Sequence, residues 1–341
     1  MESRKCFGCG QTGHLRRDCP NIGTNNSEPK NTKCFACGEE GHFRSCCPNG
    51  ASERASVRNS NGAQSSVHAF LESENEFVDT HCHLEYLFDR QRHHGGFSEY
   101  KAKHHFPKSF KGCITMFCDP AAFSSFGSWQ DLVTEDGVWG AFGCHPHNSD
   151  YYTETMESKI IECLKHPKAV ALGECGLDYS KRSKAQPSKQ AEVFVRQMKL
   201  AVELKKPLII HCRDAEADTL DLLKSSMPTD WKIHLHCYTG SVDFAQKFLH
   251  QFSNLYIGLT GIVTSSNARD VQNLARQIPL DRLLLETDAP YFVPSKISKS
   301  HKWAHPGMAI YVAEAIADIK EIPFETVLEV VRNNTKHIYG I

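Results

Sequence analysis

Six short segments carry histidines and carboxylates at close spacing: Asp79-Thr-His81-Cys-His83, Gly143-Cys-His145-Pro-His147, Gly173-Glu174-Cys-Gly-Leu-Asp178-Tyr179, His211-Cys-Arg213-Asp214, His234-Leu-His236-Cys-Tyr238-Thr-Gly240 and Glu286-Thr-Asp288-Ala-Pro-Tyr291. Drawn together, His81, His83, Glu174, His211, His236 and Asp288 make four imidazoles and two carboxylates. That is too many donors for one ordinary site with room for substrate, and it fits two metal ions sharing a bridging carboxylate. Two cations a few ångströms apart activate water and neutralise charge developing on a phosphoryl oxygen. A lone histidine on an apolar strand is usually a satisfied core residue; six convergent donors are poorly explained that way. Asp288 stands where it can orient the attacking water or take its proton. His145, His147 and Arg213 can bind phosphate oxygens or protonate a leaving group, and for Arg213 with Asp214 a buried structural ion pair is an equal alternative. The cysteines beside these donors, Cys82, Cys144, Cys175, Cys212 and Cys237, read as small residues packing strand against helix.

A second set of donors lies near the start of the chain. Cys6, Cys9, His14 and Cys19 recur as Cys34, Cys37, His42 and Cys47, each with the spacing C-x2-C-x4-H-x4-C. Three thiolates and one imidazole complete a tetrahedral Zn2+, so each of these two ions is expected to be structural. So short a module buries too little core to fold alone, and the metal supplies the missing free energy. Cys46 competes with Cys47, and alignment with the first repeat selects Cys47. The repeats resemble the CCHC knuckle of retroviral nucleocapsid and cellular RNA-binding proteins. That resemblance puts Phe7, Leu15, Phe35 and Phe43 where apolar side chains meet unstacked bases, and Arg16, Arg17, Arg44 and Lys33 within reach of phosphates. Binding another protein, or forming an ordered tail, are the other uses of such modules.

The elements that must position the first set follow from the pattern around it. Residues 1–49 are dense in Cys, Gly and charge, residues 50–73 form a flexible linker rich in Ser, Asn, Ala and Gly, and residues 74–341 have the length of a (β/α)8 TIM barrel. Apolar runs alternating with amphipathic segments predict eight strands: Phe77–His83, Gly112–Cys118, Val138–His145, Ala169–Gly173, Pro207–His211, Lys232–Cys237, Leu255–Leu259 and Arg282–Glu286. The clearest helices are expected at Gln190–Lys205, Asp214–Ser226, Val242–Phe252 and Ala309–Lys320. Continuous βα alternation implies an α/β fold with parallel strands and right-handed crossovers. In such a barrel the site lies at the C-terminal strand ends, where all six segments fall. Strand alternation puts His81 and His83 on one side and Cys82 on the other. The connection from Leu84 to Phe110 is long for a βα loop and reads either as a wall of the site or as a solvated insertion with some helix.

Composition bounds the rest. The chain has 341 residues, 40% hydrophobic and 23% charged, with a net charge of -1, so any nucleic-acid binding must come from local patches or metals. Fifteen cysteines and no signal-peptide-like run between Met1 and Cys9 argue for metal-ligating or core thiols in a reducing compartment. Expected surroundings are nucleus or cytoplasm, with no secretion, no membrane association and a monomeric chain.

From Phe77 to Ile341 the order and wording of the six motifs resemble the TatD family of metal-dependent deoxyribonucleases, a branch of the amidohydrolase-like barrels, and Trp139-Gly-Ala-Phe-Gly-Cys-His-Pro-His is most similar to an animal subgroup of it. By that resemblance His81, His83, Glu174 and Asp288 would hold one metal and Glu174, His211 and His236 the second, with Glu174 bridging. His145 would face the scissile phosphate. The activity implied is 3′-to-5′ exodeoxyribonuclease with Mg2+ or Mn2+, although imidazoles also suit Zn2+. The competing substrate is RNA or an RNA–DNA hybrid, favoured by the knuckles, which meet single strands. A small-molecule amide or ester hydrolase and a nucleic-acid adaptor without turnover are readings of other classes. Two departures bear on substrate preference: the long first connection, and Ala304-His305-Pro306 where family members often carry Asn-Glu-Pro.

Overall fold

A computed structural model describes residues 71–123 and 129–341; both Cys–His repeats and the segment that follows them lie outside the described residues. Eight strands form one parallel sheet in sequential order: β1 (Phe77–Cys82), β2 (Phe110–Phe117), β3 (Val138–Phe142), β4 (Ala169–Asp178), β5 (Leu208–Arg213), β6 (Ile233–Leu235), β7 (Leu255–Leu259) and β8 (Leu283–Leu285). The sheet curls into a (β/α)8 barrel. β1 meets β8 through an isolated parallel bridge between Cys82 and Ala289. Two backbone bonds sit at this seam, Asp288 N–H to His81 O at 2.9 Å and His83 N–H to Ala289 O at 2.7 Å. Side chains lace it below: Asp79 accepts from Thr287 N–H (2.9 Å) and from the Thr287 hydroxyl (2.5 Å), and the Thr80 hydroxyl donates to Leu285 O (2.8 Å).

Ten α-helices surround the described barrel: α1 (Leu84–Gln91), α2 (Phe97–Lys103), α3 (Trp129–Thr134), α4 (Glu154–Leu164), α5 (Pro187–Glu203), α6 (Glu216–Ser226), α7 (Val242–Gln251), α8 (Arg269–Gln277), α9 (Ala309–Lys320) and α10 (Phe324–Tyr339). Local chemistry starts and stops them. Thr153 caps α4 by accepting from Met156 N–H at 3.2 Å, and Ser241 caps α7 from Phe244 N–H at 3.2 Å. Pro187 opens α5, where its missing N–H costs nothing, and Gly340 ends α10 in the left-handed conformation. No helix among the described residues is long and apolar enough to cross a membrane.

Strand alternation divides the core in two. Along β2 and β5, Ile114, Met116 and Ile209 point into the barrel with Ala141, Ala171 and Leu284, and the C-terminal end of α10 packs there through Ile338 and Tyr339. Cys113, Phe117, Leu208, Ile210 and Cys212 face the helical shell instead. Cys82, Cys144 and Cys175 join that outer layer, so these thiols pack strand against helix. Cys237 is buried as well.

The register between neighbouring strands slips at four places, and two of these slips fall at donor residues. In β1 the register with β2 slips between Asp79 and Cys82, around Thr80-His81. In β4 it slips between Leu172 and Cys175, around Gly173-Glu174. Gly173 and Gly176 adopt φ of +144° and +142°, and a Cβ there would lie 2.6 Å from Ile209 O and 2.0 Å from His211 O. Only glycine lets β4 press this close to β5. β4 therefore runs on to Asp178, beyond the expected end at Gly173. The expected strand ends at His83, His145, His211, Cys237 and Glu286 each differ from the observed ones by one to three residues.

Candidate metal centre

The C-terminal strand ends open into a cleft of about 1000 Å3, lined by His83, Cys118, His145, His147, Glu174, Asp178, His211, Arg213, His236 and Asp288 among others. Glu174 is its centre. Oε2 of Glu174 lies 3.6 Å from Nε2 of His81 and 3.6 Å from Nε2 of His83. Asp288 Oδ1 lies 3.3 Å from Nε2 of His83 and 3.7 Å from Nε2 of His81. Oε1 of Glu174 lies 2.8 Å from Nδ1 of His211 and 2.8 Å from Nε2 of His236. Each carboxylate oxygen thus faces its own pair of imidazoles. The rings are held by packing: His81 stacks on His236 with centroids 3.8 Å apart, and His83 stacks on Tyr86 at 5.1 Å.

The electrostatics are those of a negative centre set in a basic ring. Burial alone would raise the Glu174 carboxyl, but His236, His145 and His211 hold it well below the usual carboxylate range. Burial holds His81 well below its ordinary value, and the neighbouring His236 lowers it further. His83 is raised: burial opposes its charge, and the bond to Asp288 and the field of Glu174 outweigh burial. His211, buried but placed between Asp178 and Glu174, is pushed up to about 9.

The donor set fits divalent cations. His81 keeps both ring nitrogens buried without a hydrogen-bond partner, and His236 keeps Nδ1 so. An orphaned buried donor or acceptor costs about 1–3 kcal/mol, and a cation among these atoms would recover it for the nitrogen it takes. Three triads have ligand atoms within 4.8 Å of one another: His81, His83 and Glu174; His81, His236 and Asp288; His145, Glu174 and His211.

The remaining expected residues divide. His145 caps the 3-10 turn Pro146–Tyr151 that follows β3, His147 lies within that turn, and both line the cleft. Nδ1 of His145 accepts the backbone N–H of His147 at 3.1 Å, which leaves Nε2 as the protonated nitrogen of the neutral ring, 3.6 Å from Glu174 Oε1. Burial keeps that ring neutral against the pull of Glu174. Arg213 is half-buried in the cleft wall and Asp214 is exposed, so the alternative of a buried ion pair between them does not hold. Phe7, Leu15, Arg16, Arg17, Phe35, Phe43, Arg44 and the eight Cys and His residues of the repeats lie outside the described residues.

Several neighbours with no expected role complete the site. Asp178 Oδ2 accepts from Nε2 of His147 (2.8 Å) and of His211 (3.1 Å), which turns Nδ1 of His211 toward Glu174. Burial would raise this carboxyl, and the two imidazoles hold it low. Its signal was present: 174, 176 and 178 share one face of β4. The Cys118 thiol points at Glu174 Oε2 from 3.7 Å, kept protonated by burial and by that carboxylate. Beneath the centre, Glu286 accepts the Cys237 N–H and lies 3.0 Å from Nε2 of His234, whose Nδ1 meets the Tyr339 hydroxyl at 2.7 Å. Burial raises the Glu286 carboxyl to about 8.

A parallel barrel with imidazoles and carboxylates converging at its C-terminal mouth is the architecture of a metal-dependent hydrolase. The chain belongs to the TatD related DNase family, whose model matches residues 78–340; residues 4–21 match a zinc knuckle. It is 45% identical over 271 residues to the human 3'-5' RNA nuclease TATDN2, covering 79% of this chain and 36% of that protein's length. The 3'-5' ssDNA/RNA exonuclease TatD of Escherichia fergusonii is 32% identical over 206 residues, 60% of this chain and 78% of that protein. The crystal structure of YJJV, a TatD homologue from Escherichia coli, shares the fold with a TM-score of 0.68 at 24% identity, over 78% of this chain and 98% of that one.

Proposed function

We propose that the protein is a metal-dependent 3′–5′ nuclease hydrolysing phosphodiester bonds of single-stranded nucleic acid. The observation that carries this is the placement of Glu174, one oxygen toward His81 and His83, the other toward His211 and His236. In this proposal His81, His83, Glu174 and Asp288 hold one divalent cation, and Glu174, His211 and His236 the second. Mg2+ or Mn2+ are the ions proposed, with Zn2+ as the alternative. When bound, the pair supplies a nucleophile at neutral pH and neutralises charge developing on the phosphoryl group.

The chain's own residues do the rest. Asp178 fixes the ring of His211 by accepting its Nε2–H, and so aims Nδ1 at the centre. His145 presents Nε2–H, a donor and not a ligand atom, which suits hydrogen-bonding a phosphate oxygen. For that reason His145 is left out of both metal sets, although its nitrogen lies near Glu174 and His211. Asp288 orients the attacking water or takes its proton. Arg90, Arg182, Arg213 and Lys302 line the cleft beside its carboxylates and offer cationic contacts for phosphates.

The names of the two relatives support RNA as a substrate beside the DNA that the family resemblance implies. Residues 1–49 are proposed as two knuckles that gather single strands, residues 50–73 as their tether and residues 74–341 as the catalytic barrel. Incubating the full chain with 3′- and 5′-labelled single-stranded RNA, single-stranded DNA, duplex DNA and an RNA–DNA hybrid, with Mg2+ or Mn2+ and then EDTA, tests all of this. Progressive shortening from the 3′ end that EDTA stops is expected. Absence of EDTA-sensitive cleavage of every substrate sinks the proposal.

A further inference from the structure

Resting on the nuclease function above, we propose that Trp303 and Tyr291 form a stacking platform for a nucleobase near the 3′ end of the substrate, with Arg90 and Lys302 as its cationic clamps. All four line the same cleft as the metal-ligand candidates. The Arg90 guanidinium lies 4.9 Å from the Trp303 ring centroid and 5.5 Å from that of Tyr291, and the Lys302 ammonium lies 5.1 Å from the Trp303 ring. The Arg90 Nη2 also reaches the Tyr291 hydroxyl at 3.4 Å.

Backbone geometry ties the platform to the centre on both sides. Tyr291 N–H donates to the carbonyl of Asp288 at 2.9 Å, so the ring stands one turn from a proposed ligand. Ala304 N–H donates to Pro290 O at 3.1 Å, which brings Trp303 alongside Tyr291. Arg90 comes from the other wall: α1 starts directly after His83 and carries the side chain about 10 Å along its axis to the lip. Tyr291 is 36% exposed, a large ring left open to solvent at the rim of a charged cleft.

Chemistry selects the ligand. With Arg90 over both rings, aromatic and guanidinium surfaces lie together where a planar nucleobase can stack, and Arg90 and Lys302 bring cations for the phosphates that accompany a base. A small anion would use the cations and leave the rings idle. Stacking tolerates every base, which suits an exonuclease that must accept each 3′ residue in turn.

The test compares single-stranded oligonucleotides with and without an abasic residue at each of the last three 3′ positions, using the metal-loaded full chain. The wild type should show KM raised about tenfold by an abasic residue at one of these positions, with kcat changed by less than about threefold. Trp303→Ala should have the raised KM on the intact substrate and no longer distinguish the abasic one; Trp303→Phe should regain most of the difference. Should Trp303→Ala not fold, Tyr291→Ala, at a half-exposed ring, carries the same expectation. Indifference of the wild type to abasic residues at all three positions overturns the platform, as does undiminished discrimination by the alanine variants. A wild type that cleaves no oligonucleotide overturns the nuclease function and the platform together.

Discussion

The imidazole of His305 lies 4.5 Å, centroid to centroid, from the ring of Phe106. These residues belong to the two stretches that depart from the family pattern, the long first connection and Ala304-His305-Pro306. They meet in space: Tyr100 on α2 is 6.4 Å from the same imidazole, and a Cβ at Gly307 would lie 2.7 Å from the Phe106 ring. The insertion therefore packs against the segment that carries Trp303, and its first helix supplies Arg90 to the cleft. It is both helical and part of the wall.

His305 should make the fold acid-sensitive. Burial, aided by His104, His301 and His105, lowers its pKa to about 3 from an ordinary value near 6.5. A depressed histidine contributes its stability in full above the unfolded value and loses it as pH falls from about 6.5 toward about 3. Urea unfolding followed from pH 7 to pH 4 should show a shallower decline for His305→Phe than for the wild type. Parallel declines would remove His305 as the cause.

Replacing Asp178 by Asn should lower metal affinity or activity about 10- to 100-fold, because the partner that orients His211 is weakened while the proposed ligands remain. Metal titration by calorimetry or activity reads this directly. An unchanged titration would show that His211 is held by other contacts.

Glu174→Gln should retain less than about 1% of the metal-dependent cleavage, since one residue serves both proposed sites. Its melting temperature should also become nearly insensitive to added Mn2+, whereas the wild type should gain several degrees by mass action. Wild-type cleavage by this variant would displace Glu174 from the centre.

Thr287→Val removes the hydroxyl that bonds the buried Asp79 carboxyl and accepts from Ala289 N–H, and keeps the shape. A loss of about 1–3 kcal/mol in unfolding free energy is expected. A denaturant midpoint equal to that of the wild type would mean that the seam is carried by its backbone bonds alone.

Deleting the residues before Gly50 should raise KM for long single strands more than it lowers the single-turnover rate at saturation. Equal effects on both would tie the knuckles to chemistry instead of capture.

Much of this architecture was legible because two periods alternate along the chain. Every expected strand is present, and Ala309–Lys320 matches α9 end to end. The misses have physical causes. β4 was cut short at Gly173 because glycines weaken a strand pattern, yet here Gly173 and Gly176 make the close approach to β5 that aims Glu174 inward. α10 was missed although Val327, Leu328, Val331 and Ile338 recur at helical spacing and are buried. The six central donors stood out as types at strand ends. Asp178, His234 and Glu286 stand in the same segments, but their roles, like those of Cys118 and Tyr339, were not legible because each acts through a partner distant in sequence.

The bonds that turn the sheet into a cylinder belong to the residues of the centre: the amide of Asp288 to the carbonyl of His81, and the amide of His83 to the carbonyl of Ala289. The register of this seam therefore also sets where His81, His83 and Asp288 stand. The coupling limits evolution, because a change that loosens the seam to admit a new substrate also displaces the proposed ligands.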